Sequence, residues 1–302
     1  MTTVAKYIWI DGSLRDLEES HSSLLAHGLH YGTGVFEGIR CYRTPKGPAV
    51  FRLGAHLTRM QKGARVLGME LDLEQITSAV GAVLQANRHR AAYVRPIAYY
   101  GAGSLGLDVG PSLNHHVVVA SMPWKSHLGE AAENRGVSVK STSVRRVPAD
   151  AVPPLKLCGS YVNSIIAKRE AVALGYEEAL FVDDDGRVCE ATGENVFMIR
   201  NGEITAVSHP DALLGITRDT VLQLTGASQR PVFLPELLQA DEIFLTGTSA
   251  EIAPVTRIDG AQLPIGPVTR RLQDLYQQIV HGRHPGRGAW LTPVASWAVA
   301  AK

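Results

Sequence analysis

The run Pro153-Pro154-Leu155-Lys156-Leu157-Cys158-Gly159 sets a lysine among prolines, leucines and a glycine. Lysines are rarely buried without a purpose. In one reading Lys156 is a surface residue whose stem lies on apolar neighbours while its ammonium reaches water. In the other it is a nucleophile, because apolar surroundings disfavour the ammonium and release the neutral amine. Bringing a lysine pKa from ~10.4 to ~7.5 needs roughly 4 kcal/mol of differential stabilisation, which burial and a neighbouring cation could supply. Glu190, within Val188-Cys189-Glu190-Ala191-Thr192-Gly193-Glu194-Asn195-Val196-Phe197, is a carboxylate among small and apolar residues just before a strand. It is either an ordinary turn carboxylate or the partner of a protonated ring nitrogen.

A Schiff-base lysine and a carboxylate beside a ring nitrogen are the two ends that a pyridoxal ring requires to act as an electron sink. Such a cofactor also needs a phosphate cradle. Leu213-Leu214-Gly215-Ile216-Thr217-Arg218-Asp219 puts a glycine and a threonine where a helix starts, and backbone N–H groups with the helix dipole suit a dianion there. A plain N-cap is the other reading. Leu245-Thr246-Gly247-Thr248-Ser249-Ala250-Glu251 runs a strand into a hydroxyl-rich turn that could form an anion-binding nest. Arg59 offers a permanent cation for the same phosphate.

The bulk numbers bound what this chemistry serves. At 302 residues, two domains are expected. An apolar share of 45% and a charged share of 20% describe a globular chain. Thirty basic residues against twenty-nine acidic ones leave a net charge of +1, with no global field to attract nucleic acid or an anionic membrane. Cys41, Cys158 and Cys189 are odd in number and lack metal-ligand spacing, which fits a reducing compartment. No secretory signal and no membrane-spanning run is evident, so a soluble cytoplasmic location is expected.

The elements that must position these residues read as an α+β, or mixed α/β, fold. Strands are expected at Tyr7–Ile10, Ala49–Phe51, Ala92–Tyr99, His116–Ala120, Val137–Thr142, Ala179–Val182, Asn195–Ile199 and Glu242–Leu245. Helices are expected at Gly54–Val66, Leu73–Ala86, Tyr161–Leu174, Thr217–Leu224 and Val268–Val280. The apolar stripe of the first is Leu57, Met60, Ala64 and Leu67; that of the second is Ile76, Val80, Val83 and Leu84. Gly101–Ser112 reads as an exposed loop, and the tail after Gly282 as poorly patterned with a loose end. The expected division is a small N-terminal domain 1–121, a linker 122–135 and a larger C-terminal domain 136–302 carrying Lys156.

The segment His27–Tyr42, with Phe36-Glu37-Gly38-Ile39-Arg40 inside it, closely resembles the opening motif of bacterial branched-chain aminotransferases. Phe51-Arg52, His56-Leu57-Thr58-Arg59, Tyr93-Val94-Arg95-Pro96, Met122-Pro123-Trp124, Lys156 to Gly159 with Tyr161, Glu190 to Phe197, Gly215 to Asp219 and Gly247 to Val255 follow in that family's order. The resemblance runs from about Tyr7 to Leu291. It implies a two-domain fold-type-IV enzyme with pyridoxal 5'-phosphate between the domains and at least a homodimer, or a higher homo-oligomer of dimers. Lys156 would be the Schiff-base lysine that also shuttles the proton, and Glu190 would hold the pyridine nitrogen. Tyr161 would bond the ring hydroxyl, while Arg59, the backbone of Ile216 and Thr217, and Thr248 would hold the phosphate. The turn Thr248-Ser249 with Tyr93 would take the substrate α-carboxylate. Tyr31, Phe36 and Trp124, with Gly38 and His127, would shape an apolar pocket. Arg95 would receive the distal carboxylate of glutamate, and the loop Leu105-Gly106-Leu107 would reach the partner's active site. The implied reaction is ping-pong transamination of leucine, isoleucine and valine with 2-oxoglutarate.

Departures from the family pattern leave the substrate range open. His127 replaces a pocket tyrosine, Ser249 an alanine at the carboxylate turn, Gly34 a serine and Cys158 a glycine. The alternatives within the fold are a D-amino-acid aminotransferase, an R-selective amine transaminase and an aminodeoxychorismate lyase. Outside it stands a pyridoxal-phosphate- or metal-binding protein using His27, His30, His115 and His116. These histidines lack a carboxylate or cysteine partner in register, so no metal is expected.

Overall fold

The computed structural model describes residues 5–110, 113–123 and 132–294. Up to Met122 the chain forms β1 (Tyr7–Ile10), β2 (Ser13–Asp16), α1 (His27–Tyr31), β3 (Gly34–Phe36), β4 (Ile39–Thr44), β5 (Gly47–Phe51), α2 (Leu53–Val66), α3 (Leu73–Ala86), β6 (Ala92–Tyr100) and β7 (His115–Met122). Next come α4 (Ala132–Arg135), β8 (Val137–Ser141), α5 (Tyr161–Ala173), β9 (Glu178–Val182), β10 (Val188–Ala191), β11 (Asn195–Arg200), β12 (Glu203–Val207), α6 (Ile216–Thr225) and β13 (Ser228–Arg230). The chain finishes with α7 (Leu234–Leu237), β14 (Glu242–Gly247), β15 (Glu251–Ile258), β16 (Ala261–Gln262), α8 (Pro267–Val280) and β17 (Leu291–Pro293). The fold is mixed α/β, and among the described residues no helix is long and apolar enough to cross a membrane.

Two compact units divide the chain, and they are not the consecutive stretches 1–121 and 136–302. The first comprises Met1–Trp124, Leu155–Gly159 and Gln278–Lys302; the second comprises Lys125–Pro154 and Ser160–Gln277. Lys156 therefore belongs to the first unit. The reason is backbone pairing with β3: Val35 bridges Leu157, Phe36 N–H donates to Lys156 O at 3.2 Å, and Cys158 N–H donates to Gly34 O at 2.8 Å. The tail is also more ordered than its composition suggests, because β17 pairs antiparallel with β5 and Arg52 N–H donates to Trp290 O at 2.7 Å. Residues 295–302, where the loose end is expected, lie outside the described residues.

In the first unit the strand order is β17-β5-β4-β6-β7-β1-β2, with β3 added on β6. α3 begins at Asp72, whose carboxylate accepts from Gln75 N–H at 2.9 Å, and buries Ile76, Val80, Val83 and Leu84. Each such side chain contributes roughly 1.5–3 kcal/mol by leaving water. In the second unit the order is β10-β9-β8-β15-β14-β11-β12-β13, with β16 beside β15. Its core includes Val137, Val139, Leu180, Val196, Met198, Leu245 and Val255. α5 buries only the small residues Ser164, Ala167 and Ala171, whereas Val162, Ile165 and Ile166 stay exposed.

One ionic cluster lies inside the first unit. Glu37 is fully buried between Phe36 and Gly38, and α2 supplies its partners. Arg59 donates to it twice, Nε to Oε1 at 2.7 Å and Nη2 to Oε2 at 2.9 Å, and His56 Nδ1 lies 2.8 Å from Oε2. Burial pushes the Glu37 carboxyl up, but Arg59 and then His56 outweigh it and hold the group well below the usual carboxylate range. Burial lowers the His56 pKa, Glu37 works against that, and the charges of Arg59 and Lys156 lower it further.

A histidine whose folded pKa is depressed binds fewer protons folded than unfolded, so its contribution to stability falls as pH drops below about 6.5. Replacing His56 by asparagine, whose Nδ2 takes the place of the ring Nδ1, keeps an N–H for Glu37 and removes the titration. Between pH 6.5 and 5.5, the slope of unfolding free energy against pH should be shallower in H56N by up to about 1.4 kcal/mol per pH unit. Equal slopes for the two proteins in urea titrations would refute this.

Candidate active site

The first unit gathers Lys156, Phe36, Gly38, Tyr93 and Arg95. Tyr93 and Arg95 alternate along β6 and so share one face of the sheet. Arg95 Nη2 donates to Tyr93 Oη at 2.9 Å, and its guanidinium carbon lies 4.5 Å from the centroid of the Phe36 ring. Lys156 Nζ lies 4.9 Å from the same centroid. The Phe36 ring is thus an apolar plate with a lysine and an arginine both close to it. Arg95 Nε is buried and has no hydrogen-bond acceptor among the described residues. Gly38 is required sterically: a Cβ there would sit 1.9 Å from Tyr93 Oη and displace the hydroxyl.

Arg59 is aimed by Glu37, whose bidentate grip uses two of the five N–H donors of the guanidinium. In the sequence, Glu37 and His56 stand only within longer motifs, and neither is assigned there to the site. A signal existed: a carboxylate inside Val35-Phe36-Glu37-Gly38-Ile39 must be buried and therefore paired.

Tyr31 and Leu107 are exposed residues of the same unit. Tyr31 Oη donates to Leu105 O at 2.8 Å, and a ring nitrogen of His27 lies 3.0 Å from Gly106 O. The loop is therefore tied to α1 while presenting Leu107, which is 83% exposed, and Leu29, which is 66% exposed. Trp124 and His127 lie outside the described residues.

The second unit holds Tyr161, Glu190, Ile216, Thr217, Thr248 and Ser249. Tyr161 opens α5 and is half-buried. Glu190, on β10, is 5% exposed. Its Oε1 accepts from Arg146 Nε at 2.9 Å, and its Oε2 from Leu213 N–H at 3.0 Å and Asn195 Nδ2 at 3.3 Å. Arg146 and Asn195 went unassigned in the sequence; Arg146 reaches Glu190 from a loop 44 residues earlier, and Asn195 opens β11 five residues after it. α6 starts at Gly215 in extended conformation, so the N–H groups of Ile216 and Thr217 are in the first turn and have no acceptor within the helix. Thr248 and Ser249 lie in the tight turn from β14 to β15, which closes with Glu251 at φ 55°. Thr246 on β14 pairs in register with Asn195, and its Oγ1 is buried with no hydrogen-bond partner among the described residues.

Residues 34–258 match the family model for amino-transferase class IV. The branched-chain-amino-acid aminotransferase of Pseudomonas aeruginosa is 37% identical over 298 residues, covering 95% of this chain and 97% of that protein. The structure of the T.th. branched-chain amino acid aminotransferase complexed with N-(5'-phosphopyridoxyl)-L-glutamate is 42% identical to this chain. It superposes with a TM-score of 0.90 over 96% of this chain and 99% of its own. The enzyme of Thermoproteus uzoniensis, solved with norvaline, is 38% identical with a TM-score of 0.90 over 95% of this chain and 99% of its own. With the family model spanning most of the sequence and relatives matching it nearly end to end, the chain belongs to the class IV aminotransferases, in the branched-chain amino acid aminotransferase family.

Proposed function

We propose that this chain transaminates L-leucine, L-isoleucine and L-valine with 2-oxoglutarate, using pyridoxal 5'-phosphate. The observation that carries the reading is the Phe36 ring with both Lys156 and the Tyr93-bonded Arg95 within 5 Å of its centroid. An apolar plate accepts an aliphatic side chain, and an arginine beside it accepts the second carboxylate of glutamate. The buried Nε of Arg95, without an acceptor among the described residues, suits that second role.

The residues of each unit fit the cofactor. The buried Thr246 hydroxyl and the first-turn N–H groups of Ile216 and Thr217 are donors suited to a phosphate. Glu190, whose carboxylate accepts from Arg146 Nε and a backbone N–H, suits a protonated pyridine nitrogen. On this reading Arg59, Ile216, Thr217 and Thr248 hold the phosphate, Glu190 the ring nitrogen, Tyr161 the ring hydroxyl and Lys156 the carbonyl carbon. When bound, the cofactor supplies an electron sink for the carbanion and stores the amino group between the two halves of the reaction.

The chain's own groups then divide the work. Tyr93 and the Thr248-Ser249 turn bind the substrate α-carboxylate, which fixes the Cα–H bond toward Lys156. Lys156 removes the Cα proton and returns it on the product side, a general-base step that contributes typically 10²–10⁴-fold. Phe36, with Gly38 leaving room for the Tyr93 hydroxyl, excludes water from the reacting carbon. Trp124 and His127 complete this reading as pocket residues. Tyr31 and Leu107, both exposed, are assigned to the neighbouring subunit's site in a homodimer. A cytoplasmic location is part of the same proposal.

The visible spectrum of the purified protein tests the reading. Its cofactor band should disappear with L-leucine and return with 2-oxoglutarate; bleaching by only a D-amino acid or an amine would overturn the substrate class. Lys156→Ala should keep the fold and lose at least about 10²-fold in turnover, and near-native turnover would refute its assignment. Arg95→Ala should lower kcat/KM for glutamate about tenfold more than for leucine, the scale of one hydrogen bond to a charged group. Equal losses would argue against Arg95 as the site of the distal carboxylate.

A further inference from the structure

Residues 213–215 have no regular secondary structure, yet they lead directly into α6. Their backbone is held by two side chains. Leu213 N–H donates to Glu190 Oε2 at 3.0 Å. Asn195 Nδ2 donates to Leu213 O at 2.8 Å, and Gly215 N–H donates to Asn195 Oδ1 at 3.1 Å. The same Nδ2 is 3.3 Å from Glu190 Oε2. Asn195 itself is 4% exposed and fixed on β11, paired with Thr246 of β14. A Cβ on residue 215 would lie 2.2 Å from Asn195 Oδ1, so the loop fits against this amide only as glycine.

We infer that Asn195 is a positioning residue that couples the ring end of the cofactor site to the phosphate end. This rests on the assignment of Glu190 to the ring nitrogen and of the α6 N-terminus to the phosphate. An anion that orders the first turn of α6 also orders Gly215. Through Asn195 that order reaches Leu213 and the Glu190 carboxylate. The converse holds by linkage: a ring that fixes Glu190 stiffens the loop and improves the phosphate cradle. The amide is chemically specific for this task, since it must accept from Gly215 N–H with one end and donate to a carbonyl and a carboxylate with the other. An aspartate has the same shape and keeps the acceptor, but it turns an oxygen toward Leu213 O and Glu190 Oε2. A residue that merely fills space would tolerate that change.

The test splits the cofactor into two probes on the full-length protein freed of cofactor. Pyridoxal, which has no phosphate, is titrated by absorbance with and without saturating inorganic phosphate. In the unmodified protein, phosphate should tighten pyridoxal binding by about tenfold, within the usual range of site-to-site coupling. In Asn195→Asp and Asn195→Ala the factor should fall to near one, while Thr248→Val should weaken phosphate binding itself. Gly215→Ala, which presses a methyl group into the Asn195 amide, breaks the link from the other side and decides the matter if both Asn195 variants fold poorly. Failure of the unmodified protein to bind pyridoxal phosphate would overturn the underlying site assignment. Binding with no coupling, or with the same coupling in all variants, would overturn the role of Asn195 and leave that assignment standing.

Discussion

A carboxylate without access to water has to be neutralised inside the protein, and the first unit is arranged around one. Glu37 sits at the end of β3, and both of its side-chain partners come from α2. Leaving such a charge alone would cost several kcal/mol, so the helix and the strand are tied at this point more firmly than apolar contact alone would tie them. The same β3 backbone carries Phe36 and pairs with the segment bearing Lys156. One buried ion pair therefore sets the direction of Arg59 and the strand against which the lysine is held.

The second unit solves an equivalent problem with different means. Glu190 is also buried, but its donors are an arginine, an amide and a backbone N–H drawn from three separate stretches of chain. Both carboxylates take their hydrogen bonds from the protein itself. Buried polar groups satisfied on every side rigidify their surroundings, which is what a site needs if it is to be ready before its ligand arrives.

Much of this is legible in the sequence, and the rest is hidden for physical reasons. α3 spans Leu73–Ala86 as its apolar period requires, and its four stripe residues are buried. Lys156, Glu190 and the Gly215–Thr217 turn stand out because a charge or a glycine interrupts an apolar run. β3 and β10 do not stand out, since three or four residues are too few to show an alternation and their burial comes from neighbouring strands. Nor does the grouping of Leu155–Gly159 with the first unit, which is a long-range backbone pairing without local pattern. α5 is legible as a helix but not in its orientation. Alanine and serine face the sheet because small residues allow close packing, leaving the larger apolar side chains outward.

The grouping of Leu155–Gly159 also bears on how such a protein could change by recombination. The chain passes from one unit to the other after Trp124, Pro154, Gly159 and Gln277, so neither unit is a single stretch of gene. A splice at residue 124 would leave the first unit without its lysine-bearing segment and without β17. The donated remainder would carry both, with no β3 or β5 of its own to receive them. Exchange of whole modules between relatives is thereby penalised, and change is channelled into substitutions and loop insertions that leave the four crossings intact.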